Sequence, residues 1–276
     1  MAIGYSPIPP LWPRAPYDWP VIEFPSLPTG ESLSVSATLY TTYLRCPAQA
    51  LAHTQGIYGP ESRASFSGML AHRVFARHLT SGAIAEDDFV MACREEIGRA
   101  MNPKLGALQL RPSELSGVIS EVGALYQRFQ SASLEGCRSV EAEISVAVSP
   151  DVMLRGRIDA IFDDPRGVRL VDWKTGALGG VQDQLSFYAL LWGLEHGELP
   201  AAVEAASVAS GERYEETPSP AMAAATSLQV VDLVATLRAG FMDEAAVPRI
   251  GGPGCRYCPK RDDCEEGAAA IRVLSA

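Results

Sequence analysis

The feature that most constrains this chain is a change of hydrophobic period near residue 136. Upstream, apolar residues recur at helical spacing through about 39–44, 65–79, 86–101 and 112–132. Downstream, Val140, Ala142, Ile144, Val146 and Val148 alternate with Glu141, Glu143 and Ser145, the period-two mark of a half-buried strand. Pro150-Asp151 then turns the chain into a second strand over Met153–Phe162. Asp163-Asp164-Pro165-Arg166-Gly167 turns it into a third over Val168–Lys174. Three strands joined by tight turns read as an antiparallel meander. Helical spacing returns at 181–195, a strand at 201–210 and a helix at 220–241. A helical region therefore precedes a mixed α/β core, and no internal repeat is visible.

Residues 1–33 stand apart. Pro7, Pro9, Pro10, Pro13, Pro16, Pro20, Pro25 and Pro28 disfavour helix and central strand alike, with Trp12, Tyr17, Trp19 and Phe24 interleaved. This reads as an extended arm laying aromatics on the body. The expected boundaries are the arm at 1–33, a helical region at 34–135, a core at 136–245 and a C-terminal cysteine segment at 246–276. Residues 34–276 are expected to fold as one unit.

The net charge of −10 excludes a protein that coats nucleic acid by bulk charge. It leaves room for an enzyme whose metal ions bring positive charge to an acidic site. No run of eighteen apolar residues is present, so no membrane span is expected. The N-terminus lacks a basic stretch followed by an apolar one, so the expected location is cytoplasmic. Six cysteines in a reducing compartment point to metal binding or core packing.

Two constellations carry chemistry. If the second and third strands pair through their turn, Asp159 and Asp172 can share a hard divalent cation. Lys174, two residues on, then lies on the face of Asp172. Arg155 and Arg157 fall nearby. Gln184 and Tyr188 are one helical turn apart and share a face. Glu141 and Glu143 precede the site; either could assist metal or water, although exposed strand carboxylates are the commoner explanation. The second constellation is Cys255-x-x-Cys258 with Cys264 and a distant Cys46-Pro47. Four thiolates hold zinc or an iron–sulfur cluster equally well, and spacing alone favours zinc. Cys93 and Cys137 read as packing thiols. His53, His78 and His196 match no motif.

Taken together, Gly156-Arg157-Ile158-Asp159, Asp172-Trp173-Lys174-Thr175-Gly176 and Gln184-Leu185-Ser186-Phe187-Tyr188-Ala189 resemble the signature of RecB-type nucleases of the PD-(D/E)XK superfamily. Gly68-Met69-Leu70-Ala71-His72 resembles that family's upstream motif. The four cysteines resemble its iron–sulfur subset, which includes AddB-type nuclease domains and CRISPR-associated adaptation exonucleases. The resemblance spans roughly 34–266, with the motifs in family order. It implies a restriction-endonuclease-like core: a central mixed sheet flanked by helices, with a helical N-terminal region and a C-terminal cysteine-cluster segment. It implies that His72, Asp159, Asp172 and the carbonyl of Trp173 hold Mg²⁺ or Mn²⁺. Lys174 would orient the attacking water, with Gln184 and Tyr188 supporting the site. It shifts the cysteine reading to a 4Fe–4S cluster on Cys46, Cys255, Cys258 and Cys264. The expected activity is exonucleolytic, on single-stranded DNA or DNA ends. No Gly-x-x-x-x-Gly-Lys loop is present, so a helicase motor would come from a partner; CRISPR adaptation proteins are the other candidate partners. The rival expectation is a DNA-end-binding accessory factor on a nuclease fold.

Overall fold

The computed structural model describes residues 24–131 and 134–275. The expectations for Trp12, Tyr17 and Trp19 lie outside them. The elements in order are β1 (Leu33–Ser36), α1 (Ala37–Arg45), α2 (Pro47–Thr54), α3 (Arg63–Ser81), α4 (Phe89–Ala100), α5 (Asn102–Leu108), α6 (Pro112–Phe129), β2 (Cys137–Ser149), β3 (Val152–Asp164) and β4 (Gly167–Lys174). There follow α7 (Gln182–His196), β5 (Ala202–Ser207), β6 (Arg213–Glu216), α8 (Pro220–Met242) and α9 (Glu265–Leu274).

The sheet is mixed, as expected. Its path runs β1-β3-β4-β5-β6, with β2 on the other edge of β3. The β2-β3-β4 meander is antiparallel, while β1 runs parallel to β3 and β4 parallel to β5. On one edge of β3, β1 pairs as far as Arg155 and β4 begins at Ala160. Residues 156–159 fall between the two.

Both faces of the sheet are covered. Leu154, Ile158, Ile161, Leu170 and Val203 join α1, α7 and α8 in one apolar cluster. Ala160, Phe162, Val171 and Trp173 join α3, α4 and α6 in the other. Burying each large side chain here contributes about 1.5–3 kcal/mol. The parity of β3 reverses between Ile158 and Ala160. That is why its alternation, regular up to Ile158, gives way to the buried run Ala160-Ile161-Phe162.

Ser36 caps α1 by accepting the Leu39 N–H, and Ser62 caps α3 by accepting that of Ser65. Proline at the first helical position starts α2, α6 and α8. Among the described residues α8 is long and apolar enough, by length and composition alone, to cross a membrane, although its apolar residues form no uninterrupted run. One of its faces packs in the core. Val230, Leu233, Val234 and Leu237 are fully buried, and Asp232 accepts the Tyr43 hydroxyl at 2.5 Å. α2, α5, β1 and β6 carry too few residues for their periodicity to show in the sequence.

Gly156 sets the distance between β3 and α7. A Cβ there would lie 2.6 Å from Leu191 Cδ2 and 3.3 Å from Tyr188 Cε1, both buried side chains. Gly156→Ala is expected to destabilise the protein by about 1–3 kcal/mol through overpacking. Urea denaturation checks this, and an unchanged midpoint would show that α7 can retreat without loss.

Candidate active site

The site lies where β3 and β4 part. Ala160 pairs with Val171, and one residue further Asp159 stands opposite Asp172 without a ladder bond. The Asp159 side chain takes over: its Oδ2 accepts the Trp173 N–H at 2.8 Å. α3 crosses above, and His72 Nδ1 lies 3.2 Å from Asp159 Oδ1. Gly68, one turn earlier on α3, sits against Thr175; a Cβ there would be 3.3 Å from its hydroxyl oxygen. A small residue at 68 thus keeps α3 close to the end of β4.

Asp172 and Lys174 face α7. Lys174 Nζ is 2.7 Å from Asp172 Oδ2 and donates to Gln184 Oε1 at 2.6 Å. Gln184 Nε2 is within 2.8 Å of Asp172 Oδ1 and 2.9 Å of the Tyr188 hydroxyl. Tyr188 donates in turn to the carbonyl of Arg157 at 3.0 Å. The lysine is thereby held by a carboxylate and an amide, with its side chain 28% exposed.

The electrostatics favour a cation. Burial, and then the charge of Asp159, push the Asp172 carboxyl well above the usual range, against the pull of Lys174. Asp172 Oδ2 is buried, with the Lys174 ammonium 2.7 Å away. Burial opposes a charge on His72, yet its hydrogen bond to Asp159 and the surrounding carboxylates raise its pKa. Near-buried carboxylates and an imidazole make a donor set that fits a hard or borderline divalent ion. Among the described residues His72, Glu141 and Asp159 converge, and Asp172 is not one of that group.

Glu141 belongs with them. Ligand atoms of His72, Glu141 and Asp159 all lie within 4.8 Å of one another. Burial raises the Glu141 carboxyl, Arg157 opposes the shift, and the Arg157 Nε–Glu141 Oε2 ion pair measures 2.9 Å. Its backbone is left-handed, at φ 51°, inside a strand. That conformation costs a non-glycine residue on the order of 1–2 kcal/mol. The reading of Glu141 as an exposed strand carboxylate is therefore corrected, whereas Glu143 is exposed as expected. No sequence signal separated Glu141 from Glu143, because strand register is a tertiary fact.

The four cysteines of the second constellation gather at one seam. Cys46 lies between α1 and α2, and its sulfur accepts the Ile250 N–H at 3.5 Å. Cys255 and Cys264 sulfurs accept the N–H groups of Gly252 and Gly267, each at 3.3 Å. Burial raises the Cys258 thiol pKa, with the charges of Cys46, Cys255 and Cys264 adding to the shift. Cys93 is wholly buried and its thiol is pushed up to about 12 by burial, while Cys137 packs beside the same cluster. His78 bonds the Tyr126 hydroxyl at 2.8 Å.

A family model described as the PD-(D/E)XK nuclease superfamily matches residues 34–265. No curated protein matches the chain. Matching solved structures include SSO0001, 16% identical over 86% of this chain and 88% of that chain with a TM-score of 0.39. Another is a "Putative exonuclease" from Eubacterium rectale, 12% identical over 78% of this chain and 84% of that chain with a TM-score of 0.48. At this distance neither structure bears on function, and the family match stands without them.

Tyr188 tests how the site is supported. Tyr188→Phe deletes the donor to the Arg157 carbonyl and the acceptor of the Gln184 amide, but no candidate metal ligand. The expected loss is about 1–3 kcal/mol of stability by chemical denaturation, with Mn²⁺ affinity retained. Loss of Mn²⁺ binding in a fully stable variant would show that Tyr188 acts at the metal and not as a brace.

Proposed function

The chain belongs to the PD-(D/E)XK nuclease superfamily and is in general terms a metal-dependent nuclease; from that premise we propose that it is a RecB-type deoxyribonuclease, an exonuclease acting on single-stranded DNA or DNA ends. One observation carries this reading. Asp159 and Asp172 flank the point where two strands part and act on each other electrostatically, with Lys174 Nζ 2.7 Å from Asp172. An acidic pair with an attendant lysine is suited to phosphodiester hydrolysis and has no structural use comparable to that of the buried Glu204, which two arginines neutralise.

In the proposed mechanism His72, Asp159, Asp172 and the Trp173 carbonyl would hold Mg²⁺ or Mn²⁺, which would supply activation of a water and charge neutralisation at the phosphate. Gln184 fixes the Lys174 ammonium, which orients the attacking water and hydrogen-bonds the phosphate oxygen as its charge grows. Tyr188 fixes Gln184 in turn.

Cys46, Cys255, Cys258 and Cys264 would hold a 4Fe–4S cluster with a structural role, fastening the start of α2 to the C-terminal segment. Their backbone N–H···S bonds and their shared seam support the assignment, since thiolates of such clusters are stabilised by hydrogen bonds. DNA ends are the proposed partner, with a helicase or CRISPR adaptation proteins supplying any motor or pathway, in the cytoplasm.

The test is anaerobic purification followed by cleavage of end-labelled single strands with Mg²⁺ or Mn²⁺. Asp172→Ala and Lys174→Ala are each expected to lower kcat by at least about 100-fold, as loss of a key charge-stabilising group does. Lys174→Ala should still bind Mn²⁺. End binding without cleavage by the parent protein would favour the accessory-factor reading. About four irons per chain are expected for a 4Fe–4S cluster; one zinc and no sulfide would replace it with a zinc site.

A further inference from the structure

Glu141 and Arg157 are not used by the nuclease reading above, on which this inference rests. They lie diagonally across β2 and β3 at the edge of the acidic site, since the ladder partner of Arg157 is Glu143. Glu141 offers a carboxylate oxygen within 4.8 Å of the donors of His72 and Asp159. At the same time it is ion-paired to Arg157 Nε at 2.9 Å. A carboxylate oxygen coordinated to a dication is a poorer partner for a guanidinium, so the two uses compete. We propose that Glu141 is a ligand of the catalytic cation and that Arg157 is its exchangeable counter-ion, turned over to a phosphate of the bound strand when the cation takes the carboxylate.

The geometry suits an exchange. Tyr188 holds the Arg157 carbonyl at 3.0 Å, so the backbone stays fixed while the side chain moves. That side chain is 59% exposed, so it already reaches the solvent side from which a strand must arrive. A guanidinium is the side chain best shaped for a phosphate, through two parallel N–H donors. One imidazole and two carboxylates also make a set that manganese accepts readily. The left-handed backbone of Glu141 sets it apart from Glu143, which stands opposite Arg157 in the ladder but is exposed and is not among the converging donors at His72 and Asp159. Metal and strand should consequently favour each other's binding, because each draws away one member of the ion pair.

The experiment measures Mn²⁺ affinity of the full chain by the electron paramagnetic resonance signal of free Mn²⁺. It measures strand affinity by anisotropy of a labelled oligodeoxythymidylate in Ca²⁺. Glu141→Gln is expected to weaken Mn²⁺ binding by at least about 10-fold, while Glu143→Gln, with the same change of charge, leaves it near the parent value. Arg157→Ala is expected to tighten Mn²⁺ binding roughly 2- to 5-fold, the worth of a part-exposed ion pair, and to weaken strand binding. Arg155→Ala, one turn of the pleat away, should do neither. Parent-like Mn²⁺ affinity in Glu141→Gln, or weaker Mn²⁺ binding in Arg157→Ala, would overturn the proposal. Should Glu141→Gln fail to fold, the Arg157 comparison decides alone. Asp159→Ala separates the two readings: if it also keeps full Mn²⁺ affinity, the metal site itself is wrong; if it loses Mn²⁺ and Glu141→Gln does not, only this inference falls.

Discussion

The parting of β3 from β4 after Ala160 and Val171 is the constraint on which the site depends. A sheet interior satisfies its backbone groups by ladder bonds, and a break must be repaired locally. Here the Asp159 carboxylate repairs it by accepting the Trp173 N–H. The same oxygen pair is thereby fixed opposite Asp172 and beside His72. Because β1 pairs only as far as Arg155 and β4 pairs only from Ala160, the intervening residues of β3 have room for α7 on one face and His72 of α3 on the other. Gly156 permits the first approach and Gly68 the second.

Buried acids elsewhere in the chain show what makes this site different. Glu96 is surrounded by Arg73, Arg77 and Arg99, and Glu204 by Arg169 and Arg213. Each of those carboxylates has at least as many cations near it as it can use. They link α3 to α4 and β4 to β6. At the parting of the strands the balance is reversed. Asp159, Asp172 and Glu141 converge with one lysine and one arginine, and mutual repulsion with burial pushes Asp172 upward. Such a deficit costs stability unless a cation is supplied, and it is maintained by packing that does not depend on it. The left-handed Glu141 adds strain at the same point.

The cysteine seam has a separate logic. Ala48 N–H bonds the Pro248 carbonyl at 3.1 Å and Val247 is buried against Leu51 and Gly240. The C-terminal segment therefore docks on α2 through backbone and apolar contacts as well as through the sulfurs. A cross-link at this place would close a loop that contains β2 to β6, and so would constrain the unfolded chain strongly.

Much of this was legible in the sequence because it is local. Period-two alternation marked β2, and tight turns marked the meander. Gly-Arg-Ile-Asp, Asp-Trp-Lys and Gln-x-x-x-Tyr kept their residues close enough in sequence for the chemistry to show. Short elements were lost because four to eight residues hold too few turns or pleats to establish a period: β1, β6, α2 and α5 form because neighbours supply their bonds. Parity reversal in β3 was lost for the same reason, since only the second covered face makes Ala160-Ile161-Phe162 apolar throughout. Glu141 is the clearest case. Nothing in Val-Glu-Ala-Glu distinguishes it from Glu143; the pairing of β2 with β3 and the crossing of α3 bring one carboxylate to His72 and Asp159 and leave the other in solvent. Sequence by itself determined which residue types the site contains. Their convergence was decided by strand register and helix docking, which arise from contacts between segments far apart in the chain.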